Sequence, residues 1–164
     1  MTVSTPSPKG SVKTAELMQA VAGLAEARGC FGAVRATESM VECRAKQCPD
    51  EAAYRLAIED GRLYVSWLSV DRYLSQSIEA DLMWTGDDLD ELFAEELADL
   101  GWSGGALGGV EHYRSGEKMF TFRSAVPLDP ERLDPARDAP ALVNCLLAYE
   151  AVFSQLGDMK DDDE

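Results

Sequence analysis

The sequence predicts an α+β fold, an antiparallel β-sheet covered by helices, in the order α-β-β-β(-β)-α-β-β-α. Three observations carry that prediction. Apolar residues recur at helical spacing in three separated stretches, at the start, middle and end of the chain. Between them lie segments in which apolar and polar residues alternate strictly. Tight-turn residues join successive alternating segments, so neighbouring strands run antiparallel and the helices must cover one face of the sheet.

The first helix is expected over 14–28, TAELMQAVAGLAEAR, with Leu17, Val21, Leu24 and Ala25 on one face. Thr14 suits an N-cap, and Gly29 suits a left-handed stop. Strand material follows from Phe31 to Lys46, with a break near Glu38 and Ser39, and Pro49-Asp50 marks a turn. Tyr54, Leu56 and Ile58, then Leu63, Val65 and Trp67, alternate with polar or small neighbours on either side of Asp60-Gly61. That dipeptide suits a type I′ turn, because both central residues need positive φ, so this stretch reads as a hairpin. SQSIEADLMW also reads as a strand, since period two places Leu74, Ile78, Ala80, Leu82 and Trp84 on one face. A helix from about Tyr73 is the alternative.

Thr85-Gly86-Asp87-Asp88 opens a helix to Leu100, with Leu89, Leu92, Phe93, Leu97 and Leu100 as its apolar stripe and carboxylates crowding its first turn. A second hairpin spans Val110–Arg114 and Lys118–Val126 around Ser115-Gly116-Glu117. After a proline-bearing linker, Asp138 is the expected cap of a last helix carrying Leu142, Leu146, Tyr149, Phe153 and Leu156, with Gly157 as its stop. Residues 1–13 read as a flexible leader without an apolar h-region, 14–156 as a single domain, and 157–164 as a disordered acidic tail.

Composition narrows the function classes. Thirty Asp and Glu against fifteen Lys and Arg give a net charge of −15. Such a chain repels a phosphate backbone and anionic membrane surfaces, so direct nucleic-acid binding is not expected and a basic partner is. No apolar run approaches a membrane span, and the expected location is the cytoplasm. Cys30, Cys43, Cys48 and Cys145 contain no CxxC, and His112 is the sole histidine, so no metal site is expected.

The nine residues GWSGGALGG, 101–109, hold five of the thirteen glycines. Phosphate-cradling loops follow a strand and precede a helix, which points its positive end at the anion. Here the helix comes first, its negative end faces the glycines, and no Gly-Lys-Ser/Thr follows. The segment therefore reads as a helix C-cap and connection, with no cofactor. His112 lies in a strand without a Ser or Cys at motif spacing, and the carboxylate pairs of the middle helix fall on its wet face. No catalytic residue is expected. For partner or dimer contacts the candidates are Leu89, Leu92, Phe93 and Leu97 on the middle helix. On the outward side of the sheet they are Tyr64, Leu68 and Met83.

The leading helix ELMQAVAGLAEARG with Cys30-Phe31, the hairpin YRLAIEDGRLYVSW, SQSIEADLMW beside DDLDELFAEELADL, and FTFRSAVPLD with LVNCLLAYEAVF together resemble the type III secretion chaperone fold. More specifically they resemble the YbjN-like family, over Thr14 to Leu156. The chain departs from that pattern by one extra strand before the middle helix and by ADLGWSGG in place of an asparagine-bearing segment. The resemblance implies a small, acidic, non-enzymatic homodimer that binds another protein, as a chaperone, adaptor or regulator. A DNA-associated basic protein is one such partner class. The alternatives are a small-ligand sensor, or an enzyme with an unrecognised pocket that uses His112, Cys43 or a helix carboxylate.

Overall fold

The computed structural model describes residues 8–45, 52–69, 72–85, 88–102, 107–114 and 119–154. Within them the fold is α+β, a six-stranded antiparallel sheet packed against four helices. The chain runs α1 (Pro8–Arg28), β1 (Phe31–Ala36), β2 (Met40–Ala45), β3 (Ala52–Glu59), β4 (Arg62–Ser69), α2 (Arg72–Thr85), α3 (Leu89–Asp99), β5 (Glu111–Arg114), β6 (Phe120–Ala125) and α4 (Pro135–Phe153). The strand order is β1-β2-β3-β4-β6-β5.

The central hairpin is as expected. Tyr54 pairs with Trp67, Leu56 with Val65 and Ile58 with Leu63, and the turn residues Asp60 and Gly61 have φ of 53° and 76°. The strand-like stretch from Phe31 splits into β1 and β2, joined at Thr37, whose N–H donates to the Met40 carbonyl.

Two boundaries differ from the sequence reading. α1 starts at Pro8, ahead of Thr14, because a proline at the first helical position forfeits no hydrogen bond. Its inner face carries Leu17, Met18, Val21, Ala22 and Ala25, while Leu24 faces out. α4 is capped by Asp134 rather than Asp138: Asp134 accepts the Arg137 N–H at 2.9 Å. Asp138 completes the cap from inside the first turn, accepting the Asp134 N–H at 2.7 Å and the Arg137 guanidinium at 2.8 Å. The expected turns at 49–50 and 115–117, the Gly157 stop and the acidic tail lie outside the described residues.

The largest correction concerns 75–84, which is helix and not strand. Ile78 is buried and Ser77, Asp81 and Leu82 are half-buried, whereas Gln76, Glu79, Ala80, Met83 and Trp84 are exposed. Those two sets follow a 3.6-residue period. Period two placed Ala80 and Trp84 beside Ile78 and Leu82, but the helix turns them to opposite sides.

The core lies between the sheet and the helices. Trp67 stacks on Phe153 at 5.5 Å and meets Phe122 edge-on, and Phe93 stacks on Tyr149 at 4.3 Å. The Tyr149 hydroxyl shares a 2.6 Å hydrogen bond with Ser124, so its one polar atom is satisfied inside the core. No helix among the described residues is long and apolar enough to cross a membrane.

Candidate functional site

Two surfaces stand out, on α2 and on the sheet face that the helices leave open. α2 is held to the body by a narrow stripe. Ile78 enters the core, Leu82 packs at its edge, and Glu79 Oε2 lies 2.6 Å from His112 Nδ1 on β5. The His112 ring stacks on Phe122 at 3.9 Å, so this pair fastens α2 to the end of the sheet. The opposite side of α2 carries Met83 and Trp84, 84% and 89% exposed. Ala80 lies one turn before them on that same side.

The electrostatic setting of this apolar pair is one-sided. Between Arg72 and Arg114 the chain contains ten acidic residues, from Glu79 to Glu111, and neither lysine nor arginine. α3 follows directly, with Asp90, Glu91, Glu95 and Asp99 exposed. Asp88 caps α3 by accepting the Asp90 N–H at 2.9 Å, and Asp90 in turn accepts the Val110 N–H at 3.2 Å.

The glycine segment serves structure where it is described. Gly101 has φ of 84°, its N–H donates to the Ala98 carbonyl, and the Trp102 N–H donates to the Leu97 carbonyl at 2.9 Å. That pair of bonds is the Schellman ending of a helix. Gly108 runs against β6: its N–H donates to the Ala125 carbonyl at 2.9 Å, and a Cβ there would come within 3.2 Å of Ala125 Cβ. Gly104 and Gly105 lie outside the described residues.

The open sheet face is lined by alternate residues of β2 to β6. Arg55 donates to Glu42 at 3.0 Å. Arg123 donates to Glu111 at 2.7 Å and to Glu59 at 3.1 Å, with its guanidinium 3.9 Å above the Tyr64 ring. A concavity of about 320 Å³ lies here, with Tyr64, Ser66, Leu68, Tyr113, Met119 and Thr121 in its lining beside the two arginines.

The seven sequence candidates separate accordingly. Phe93 and Leu97 are 1% and 3% exposed, buried against α4, and Leu89 and Leu92 are half-buried at the core edge. Phe93 and Leu97 are therefore interior and face α4, while Leu89 and Leu92 keep part of their surface exposed. Tyr64 and Leu68 both line the open-face concavity, and Leu68 is buried. Met83 does not join them, because it sits on helix α2 and not on a strand.

Sequence reasoning missed Trp84, Arg55, Arg123 and Tyr113. The signal for Trp84 was the long stretch without a base. For the two arginines it was their alternation with Glu42 and Glu111 across strands, which only the register reveals.

Among the groups considered for catalysis, burial pushes the Cys43 thiol up to about 12, with the neighbouring Cys30 and Glu42 adding to it. Burial alone pushes Cys145 up to about 12. Both stay protonated at neutral pH and are poor nucleophiles. Cys48 lies outside the described residues. Among the described residues no cluster of three or more His, Cys, Asp or Glu could hold a metal ion. No family model, no curated protein and no solved structure matches this chain.

Proposed function

We infer that the chain is a non-catalytic, cytoplasmic protein-interaction module of chaperone, adaptor or regulatory type, and that it docks a basic, partly apolar segment of another protein on α2. The observation that carries this reading is the exposed Met83–Trp84 pair inside a stretch of ten carboxylates and no base. An isolated exposed apolar residue is ordinary, but an adjacent Met and Trp turned fully outward from a helix supply a contact anchor. The surrounding carboxylates select the partner by charge and speed its approach. A DNA-associated protein has the required charge, and contact through the protein rather than the DNA fits a chain of net charge −15.

The YbjN-like and secretion-chaperone resemblance supports the same reading, and so does the sequence of one helix, paired strands, helices, a hairpin and a closing helix. Fold alone does not transfer function. Self-association, which the resemblance implies, would use a surface other than the outer side of α2 and α3, where two copies would oppose like charges. The enzyme reading is weaker, because His112 serves to tie α2 to Phe122 and Glu79, and the two described core thiols are protonated.

Affinity capture from nuclease-treated lysate tests the proposal, comparing the protein with a Met83→Ser/Trp84→Ser variant at low and high salt. Basic proteins captured at low salt should be lost in the variant and at high salt, because exposed charges screen over about 10 Å at 0.1 M. Capture that is equal for both proteins rejects α2 as the docking surface.

A further inference from the structure

The open sheet face carries a feature separate from protein docking. Strand register aligns Arg35, Glu42, Arg55, Ser66, Arg123 and Glu111 in one line across all six strands. Charge alternates along it, positive and negative, everywhere but at Ser66. Opposite charges on directly facing residues stabilise a sheet. The line makes those contacts: Arg35 to Glu42 at 3.4 Å, Arg55 to Glu42 at 3.0 Å and Arg123 to Glu111 at 2.7 Å. Ser66 stands where the alternation calls for a carboxylate, with an arginine on each side.

Arg55 and Arg123 are two strands apart, roughly 10 Å between their Cα atoms. Side chains of that length can meet over the strand between them. The concavity of about 320 Å³ opens at that place, with both arginines and Ser66 in its lining. Arg123 is held in position by Glu111 through Nε, by Glu59 through Nη1 and by the Tyr64 ring, and neither ion pair uses Nη2. A guanidinium fixed in this way loses little freedom when it takes a ligand.

The geometry points to a binding site for a small organic monocarboxylate. Its oxygens lie over Ser66 between Arg55 and Arg123, and its apolar body lies against Leu68, Tyr113 and Met119. The volume is at the lower end of the small-molecule range. Glu42, Glu59 and Glu111 outnumber the two arginines, so the site has no net positive charge; a singly charged acid with an apolar body is taken through directed guanidinium hydrogen bonds, and a multiply charged phosphate is turned away.

Benzoate is the probe, with benzamide as its neutral match, followed through the amide resonances of Ser66 and Thr121. Benzoate should shift both resonances with a dissociation constant on the order of 1 mM. Benzamide should not, and Arg123→Gln should weaken benzoate binding at least about tenfold, one charge-assisted contact being lost. Because that variant also breaks two ion pairs, a second pair of variants tests the vacancy without any ligand. Ser66→Asp supplies the missing carboxylate from the chain itself. It should melt roughly 2 °C or more above Ser66→Asn and no longer bind benzoate. The inference is overturned if benzamide shifts the same amides as benzoate does, if benzoate shifts neither, or if Ser66→Asp melts no higher than Ser66→Asn.

Discussion

α4 and α2 both lie against the same sheet, yet they hold opposite positions in the molecule. α4 buries eleven of its residues, among them Leu142, Leu146, Tyr149 and Phe153. α2 sends only Ile78 fully inward among its described side chains and leaves a tryptophan in water. α4 is a structural wall whose every inward position is filled. α2 has its apolar residues divided between two sides, and the outer pair, Met83 and Trp84, stays exposed. Natural chains break the inside–outside pattern chiefly at functional sites, which is the ground for proposing a docking surface there.

The two regions should separate most sharply on truncation. Phe93→Ala removes the ring that stacks on Tyr149 against α4 and should cost about 3–5 kcal/mol, seen as a lower midpoint in chemical denaturation. A loss below about 1 kcal/mol would mean that the α3–α4 contact is not core packing.

Next comes the start of α4. Asp138→Ala leaves the Asp134 N–H without its acceptor and removes the Arg137 pair, and should cost roughly 1–3 kcal/mol at pH 7. The Arg137 hydrogen bond lowers the Asp138 carboxyl below 3.8, burial opposes this, and the Asp134 N–H reinforces it. A folded-state pKa below the unfolded one stabilises above the unfolded value, and that stability disappears as pH falls through the folded one. The difference between wild type and Asp138→Ala should therefore shrink in acid, beginning near the unfolded pKa of Asp. A pH-independent difference would contradict this.

Glu150 gives a smaller effect of opposite sign. Burial, and then Glu96 across from it on α3, raises its pKa, and it sits in the last turn of α4, where the helix dipole disfavours negative charge. A raised carboxyl destabilises the fold while ionised and is relieved as pH falls. Glu150→Gln should thus gain up to about 1 kcal/mol at neutral pH, with a slightly higher melting temperature.

Least affected is the outer side of α2. Trp84→Ser should change stability by no more than about 0.5 kcal/mol while abolishing the partner capture proposed for this surface. A large destabilisation would show that Trp84 has a packing role.

Much of this contrast was legible in the sequence, and the remainder failed for identifiable reasons. The central hairpin, the middle helix with its glycine stop and the closing helix followed from Asp60-Gly61, from the Leu89–Leu97 stripe and from the Leu142–Phe153 stripe, all local signals. Period two fits 75–84 better in the sequence because a helix sets Glu79 and Asp81 beside apolar neighbours; in α2 Asp81 is half-buried and Glu79 reaches His112, so carboxylates on or near the inner side obscure the helical period. The apolar stripe of α3 does not itself say which neighbour covers Phe93 and Leu97, and the contact with α4 supplies that. The Arg55–Ser66–Arg123 line depends on the pairing of β4 with β6, far apart in the chain, which no local pattern encodes.

The central claim is that Met83 and Trp84 receive a basic apolar segment, and fluorine NMR of the protein with fluorinated tryptophan tests it most directly. Trp67 is buried, Trp102 half-buried and Trp84 exposed, so the three indoles report separately. An amphipathic leucine–lysine peptide should shift the Trp84 resonance and leave Trp67 unmoved, and the leucine–glutamate counterpart should shift neither. A Trp84 resonance indifferent to the lysine peptide, or moved equally by both peptides, would contradict the account.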